Sequence, residues 1–261
     1  MNQALWIAKT GMDAQQTRMD VITNNLANAS TVGFKRANPE FEDLLYQNVR
    51  QPGVQSSQDT TLPSGLMLGV GVRAVATVKQ YSQGDLNVTG NNFDVAITGP
   101  GFFQINMPDG RTAYTRNGAL LPNAEGTLVL ASNGFPVEPQ IQVNENTASI
   151  EVAQDGIVTL VSTQGERQQG GQLELATFIN PAGLEPIGAN MAISTIASGD
   201  PRTGVPSTEG FGSLQGQALE QSNVNVVEEL VSMIETQRTY ELNSKAISTS
   251  DQMLQFLNNN L

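Results

Sequence analysis

The chain has 261 residues, a net charge of −12, 39% hydrophobic and 5% aromatic residues, and neither cysteine nor histidine. Without cysteine there are no disulfides, thiolate metal ligands or sulfur nucleophiles. Without histidine the commonest metal ligand and the commonest acid–base catalyst near neutral pH are missing as well, so the composition weighs against an enzyme and predicts no catalytic, metal or cofactor residues. The charge is unevenly spread: residues 1–50 are net zero, 51–219 are net −8 and 220–261 are net −4. An acidic centre and an acidic end do not suit nucleic acid, which asks for a basic patch. No run of eighteen apolar residues occurs, so no membrane insertion is expected. The first residues lack a basic region followed by a long apolar core, so no cleaved secretory signal is expected either.

Taken in chain order, residues 1–28 predict a long helix. Met1, Leu5, Ala8, Met12, Gln15, Met19, Ile22 and Leu26 recur at steps of three and four, a mean period of 3.5. Gly11 weakens such a helix by roughly 1 kcal/mol relative to alanine, so it needs packing to hold. Asn24, Asn25 and Asn28 gather toward its end, and Gly33 stops it. Around Phe41, Leu44, Leu45 and Tyr46 a short helix after Pro39 is expected. Pro52-Gly53 and Pro63-Ser64-Gly65 are breaks on either side of a polar run, which predicts an extended loop or β-hairpin arm. Residues 70–81 alternate as a strand, with Val72, Ala74, Ala76 and Val78 on one side.

The stretch 82–219 predicts an irregular all-β domain. Short apolar runs such as Phe93-Asp94-Val95-Ala96-Ile97 and Leu173-Glu174-Leu175-Ala176-Thr177-Phe178 alternate with Asp109-Gly110, Asn117-Gly118, Asn133-Gly134 and Asp155-Gly156, which read as tight turns. No phosphate-binding loop is present: Gly65-Leu66-Met67-Leu68-Gly69 and Gly99-Pro100-Gly101 fit neither glycine-rich signature, and no helix follows them. Pairing Asp94 with Asp85, or Asp155 with Glu151, as glycosidase carboxylates is a weaker reading than solvated acids on a turn-rich domain.

The last forty residues hold no proline or glycine and predict a second long helix. Met233, Tyr240, Ile247, Leu254 and Leu261 fall at seven-residue steps, with Ile234, Asn243, Ser250 and Leu257 as a weaker row between them. Asn225 can cap the first turn, and Glu228 sits where it can complete a capping box. A helix with one thin apolar row and polar sides needs a partner. Two stripes of matching period at opposite chain ends predict an antiparallel coiled coil. The fold class expected is therefore α+β: paired terminal helices, a central β-domain and an extended arm. The domains expected are 1–35 with 220–261, a linker over 36–81, and 82–219.

The run Asn24-Asn25-Leu26-Ala27-Asn28-Ala29-Ser30-Thr31-Val32-Gly33-Phe34-Lys35-Arg36 resembles the N-terminal signature of the bacterial flagellar rod and hook (axial) proteins. Ser222 to Val231, continuing through Gln237-Arg238-Thr239-Tyr240-Glu241-Leu242-Asn243-Ser244-Lys245, resembles their C-terminal signature. Asp94-Val95-Ala96-Ile97 with Gly101-Phe102-Phe103, and Tyr114-Thr115-Arg116-Asn117-Gly118, resemble the motif of their β-domain. Leu5-Trp6-Ile7-Ala8, Phe41-Glu42-Asp43-Leu44, Arg50-Gln51-Pro52-Gly53 and Leu62-Pro63-Ser64-Gly65 look like the distal rod members. The resemblance implies a structural subunit, exported by the flagellar type III route, that polymerises into the straight drive shaft of the basal body between periplasm and outer membrane. It also implies partners: further copies of itself, proximal rod proteins, hook protein, the P- and L-rings, the rod cap with its muramidase, and the export apparatus. Residues 47–72 resemble the insertion that separates straight rod from flexible hook. On this reading the polymerising residues are Leu5, Ala8, Met12, Met19, Ile22, Leu26, Met233, Ile234, Tyr240, Ile247, Leu254 and Leu257. The family-motif residues are Asn25, Leu26, Asn28, Gly33, Phe34, Asn223, Gln237, Arg238 and Tyr240, and Pro52, Gly53, Pro63 and Gly65 mark the rod-specific arm. The rivals are a proximal rod or hook subunit, a secreted adhesin and, from another class, a rod-associated peptidoglycan hydrolase.

Overall fold

A computed structural model describes residues 3–50, 55–57, 60–61, 65–144, 147–208 and 210–259. Pro52, Gly53, Pro63 and Leu261, and the side chain of Leu257, lie outside the described residues. The protein is α+β, with a helix near each terminus and a β-rich centre. Its chain divides into two compact units: residues 1–27, 37–78 and 225–261 form one, and 28–36 with 79–224 form the other. No helix among the described residues is long and apolar enough to cross a membrane.

The first unit holds α1 (Gln3–Ala27) and α2 (Val226–Asn259). Asn225 caps α2: its Oδ1 accepts the backbone N–H of Val227 at 3.0 Å and of Glu228 at 3.4 Å. Glu228 and Glu229 occupy the first turn, where the helix dipole favours negative charge. The 34 residues of α2 make it about 50 Å long. Contacts between the helices run from Asn25 with Glu229 to Gly11 with Asn243, so the helices point in opposite directions. Gly11 lets them approach: a Cβ there would lie 3.1 Å from Asn243 Nδ2.

The rest of this unit is two-stranded. Ala37–Asp43 pairs with Val72–Lys79, Tyr46–Arg50 pairs antiparallel with Leu66–Gly69, and Gln55–Ser57 pairs with Thr60–Thr61. The short helix expected after Pro39 is thus replaced by strand. The cause is tertiary. Asn25 on α1 exchanges two bonds with Ala37, donating from Nδ2 to its carbonyl at 2.9 Å and accepting its N–H at 3.0 Å. That holds the first residue of the strand extended, and the backbone beyond it is taken up by the Val72–Lys79 ladder.

The second unit is antiparallel β. Its largest sheet runs Glu185–Gly188, Met191–Ile193, Thr112–Thr115, Phe102–Asn106, Leu175–Thr177 and Arg202–Gly204, with Val137–Glu138 also on Phe102–Asn106. A three-stranded sheet, Thr147–Val152, Ile157–Ser162 and Arg167–Gln172, and several two-stranded pairs enclose the same core. Val95, Ile97, Phe103, Ile105, Leu128 and Leu175 are fully buried there. A second cluster stacks Tyr81, Phe102, Phe178 and Tyr114 edge to face, with ring centroids 4.7–5.9 Å apart.

Gly110, Gly134 and Gly156 take positive φ, as their turns require. Asn117-Gly118 behaves differently. It opens no tight hairpin. Gly118 is needed because a Cβ would fall 1.6 Å from the Val95 carbonyl, where the backbones of 95 and 118 meet by a 3.0 Å hydrogen bond. The dipeptide signals both a turn and a close backbone approach, and packing selects the second here.

Candidate assembly surface

Two features concentrate chemistry: the faces of the terminal helices in the first unit, and a buried charge cluster in the second. On α1, Ile22 is buried, and Leu5, Ala8, Met12, Met19 and Leu26 are half-buried. On α2, Met233 and Ile247 are half-buried, whereas Ile234, Tyr240 and Leu254 are exposed by 57, 44 and 40%. The positions most withdrawn from solvent on α2 are polar: Glu229 and Thr236 are buried, and Asn243 and Ser250 are half-buried. These four fall at strict seven-residue steps. The seam between the helices thus alternates a polar row with the expected apolar one, and the apolar row remains largely uncovered.

A second uncovered row adds residues beyond Ile234 that the heptad spacing does not pick out. Val227, Leu230, Val231, Ile234 and Leu242 are all exposed on α2. Its signal was present in the spacing, since 227, 231 and 234 follow a helical period, but the run of adjacent valines and leucines hides which face is which. Near the other end Met253 and Phe256 are exposed, and on α1 Trp6 and Ile7 are. A groove lined by Gln15, Met19, Gln237 and Tyr240 opens between the two helices.

The family-motif residues divide between the units. Asn25 is buried and pins Ala37 as described, Leu26 and Asn28 are half-buried, and Gln237 and Arg238 are exposed on α2. Gly33 and Phe34 are buried in the second unit. Gly33 takes φ +68 and donates its N–H to the Glu220 carbonyl at 2.8 Å. A Cβ there would stand 2.8 Å from the carbonyl carbon of Arg116. Asn223 Oδ1 accepts the Arg36 N–H at 2.7 Å, and its Nδ2 donates to the carbonyls of Gln80 and Ser82. The arm residue Gly65 is half-buried.

The charge cluster closes around Glu220, whose side chain is fully buried. Its Oε1 accepts Lys35 Nζ at 2.5 Å and the Gly84 N–H at 3.0 Å, and its Oε2 accepts Arg116 Nη1 at 3.2 Å. Lys35 also donates to the Ser82 carbonyl, and Arg116 Nη2 to the Gly99 carbonyl. Burial holds the pKa of both Lys35 and Arg116 below its ordinary value, with Glu220 opposing the shift. The cluster joins three stretches far apart in sequence, and Glu220 lay in none of the sequence motifs. Pairing of this kind has no local signal.

Two of the carboxylates considered for glycoside chemistry, Asp94 and Asp155, have structural duties. Asp94 is buried and accepts Thr89 Oγ1 at 2.6 Å and Asn91 Nδ2 at 3.0 Å, closing its own turn. Asp155 Oδ1 accepts the Ile157 N–H at the turn before Gly156. Among the described residues no cluster of three or more acidic side chains could hold a metal ion.

Helices that leave two apolar rows uncovered, in a chain whose β-unit gathers its buried charges around Glu220, define a protein built for association. Its relatives make the class specific. Residues 5–35 match the family described as "Flagella basal body rod protein", 96–160 "Flagellar hook protein FlgE/F/G D1 domain", and 215–260 "Flagellar basal body rod FlgEFG protein C-terminal". The chain is similar to the flagellar basal-body rod protein FlgG of Buchnera aphidicola subsp. Schizaphis graminum, with 54% identity over 98% of this chain and 99% of the relative. To the FlgG of Borreliella burgdorferi it is 45% identical, over 99% of this chain and 98% of the relative, and to that of Bacillus subtilis 36%, over 99% of each. The chain belongs to the flagellar basal-body rod protein family, whose members are structural proteins of the basal body and not enzymes.

Proposed function

We propose that copies of this chain polymerise into the straight, rigid distal rod, the drive shaft that carries torque from motor to hook. The observation that carries this reading is the pair of uncovered apolar rows on α2, Tyr240 with Leu254 and Val227 through Leu242. Neighbouring copies would cover them, and repetition of one heterologous contact builds a helical tube. On this reading 1–35 and 220–261 form the inner tube as an antiparallel coiled coil, and 82–219 is the outer β-domain. Residues 36–81 link them and carry the arm marked by Pro52, Gly53, Pro63 and Gly65. The nested strand pairs Tyr46–Arg50 with Leu66–Gly69 and Gln55–Ser57 with Thr60–Thr61 support a hairpin arm.

The shaft would cross the periplasm to the outer membrane, joined to proximal rod proteins below and hook protein above, inside the P- and L-rings. A rod cap with its muramidase would lead its growth, and subunits would arrive through the export apparatus without signal-peptide cleavage. The polymerising residues would be Leu5, Ala8, Met12, Met19, Ile22, Leu26, Met233, Ile234, Tyr240, Ile247, Leu254 and Leu257. Electron microscopy of the purified polymer tests the reading. Straight tubes from the full chain, and curved ones after removal of 47–72, are expected. Curved tubes from the full chain would place it with the hook.

A further inference from the structure

One notch of the β-unit holds more positive charge than it balances. Lys35, Lys79 and Arg116 line it together with Phe34, Tyr81 and Phe102. Glu220 is the carboxylate that Lys35 and Arg116 share. The Lys79 ammonium has no ion pair or hydrogen bond among the described residues. Its ammonium lies 5.8 Å from the centre of the Phe34 ring, and burial lowers its pKa. Arg116 is 5% exposed, and its Nε has no partner although both terminal nitrogens do. Its guanidinium stands 5.3 Å from the Phe102 ring centre. Three cations against one carboxylate leave two positive charges over, in a chain whose net charge is −12.

A half-buried cation without a counter-charge is costly, and aromatic faces offset a small part of that cost. The free space is about 20 Å³, room for a single water-sized group. That excludes a nucleotide or a sugar and fits one oxygen of a carboxylate presented from outside. Acidic residues outnumber basic ones by 25 to 13, so a second copy offers carboxylates in abundance.

We propose that the Lys79–Arg116 notch is a carboxylate-binding site, filled by an aspartate or glutamate side chain of a second copy of the chain. The source of the carboxylate rests on the assembly reading above, while the chemistry of the notch does not. Lys79 would supply the ammonium and Arg116 Nε–H the second donor, with the Phe34 and Phe102 rings keeping water from the contact.

Two measurements test it on the full chain. In dilute solution, sodium acetate is titrated against sodium chloride at matched ionic strength while lysine side-chain NMR signals are followed. A saturable acetate-specific shift of the Lys79 signal, which Lys79→Gln identifies by its disappearance, is expected, with no such shift at Lys9 or Lys245. In polymer grown from mixed 14N and 15N chains, zero-length carbodiimide coupling followed by mass spectrometry should find Lys79 joined to an acidic residue of the other isotope. No acetate-specific shift at Lys79 overturns the notch. A polymer in which Lys79 couples within its own chain or not at all overturns the second copy as the source. Failure to polymerise counts against the assembly reading alone, and the acetate titration then decides the notch.

Discussion

At the scale of single residues, Glu220 does the most for the β-unit. One carboxylate satisfies Lys35, Arg116 and the Gly84 N–H, and so ties the segment after α1 to the Tyr114–Gly118 stretch and to the chain's return toward α2. Breaking a buried pair on one side leaves the other charges uncompensated. Glu220→Gln is expected to lower the stability of the β-unit by about 3–5 kcal/mol, read from urea unfolding monitored at the aromatic cluster. A loss below 1 kcal/mol would show that the cations find other partners. Tyr81 gives a pH signature. Burial pushes its hydroxyl up to about 12 from an ordinary 10.0, with the Arg116 charge acting the other way. The folded chain keeps that proton while the unfolded chain releases it, so the tyrosine's contribution is complete below pH 10.0 and fades as pH rises toward 12. Burial lowers Lys35, which works in the opposite sense on approaching its ordinary 10.5 and is common to wild type and variant. Over that interval the wild type should therefore lose on the order of 2 kcal/mol more than Tyr81→Phe. Equal losses in the two chains would rule the tyrosine out.

At the scale of elements, α1 and α2 contact one another in opposite directions without completing an apolar core. Glu229, Thr236, Asn243 and Ser250 occupy the most withdrawn positions of α2, and polar groups at such positions set register at a cost in stability. Gly11 opposite Asn243 ties that register to one place. The apolar residues Tyr240 and Leu254 are left exposed. Leu254→Asp is expected to abolish polymer formation, seen by sedimentation and electron microscopy, while the thermal transition of the β-unit stays unchanged. Polymers of normal yield from that variant would remove this row from the assembly surface.

At the scale of the whole molecule, the apolar burial is concentrated in the β-unit. Among the described residues nineteen buried ones form its main core, whereas Ala14 and Ile22 are the buried apolar residues of α1. Helix stability comes mainly from packing of an apolar face, and here much of that face is uncovered. Amide exchange in dilute solution should therefore be faster along α1 and α2 than in Phe102–Asn106 and Thr112–Thr115. Comparable protection would mean that the helix pair is complete without neighbours.

The long terminal helices and the β-rich centre were legible in the sequence because their signals are local: a 3.5-residue period free of proline at both ends, and strand-length apolar runs split by Asp-Gly and Asn-Gly. The family, too, was legible, because its signatures are contiguous runs. Three things were not. Residues 37–43 carry no decisive local preference, so the Asn25 bonds and the Val72–Lys79 ladder make them strand. Gly118 is required by the Val95 backbone, a neighbour distant in sequence. Glu220 meets Lys35 and Arg116 from 185 and 104 residues away. Period and turn chemistry act over a few residues and can be read along the chain. Which charge neutralises which, and which apolar row stays uncovered, depend on long-range packing, and only the tertiary structure decides them.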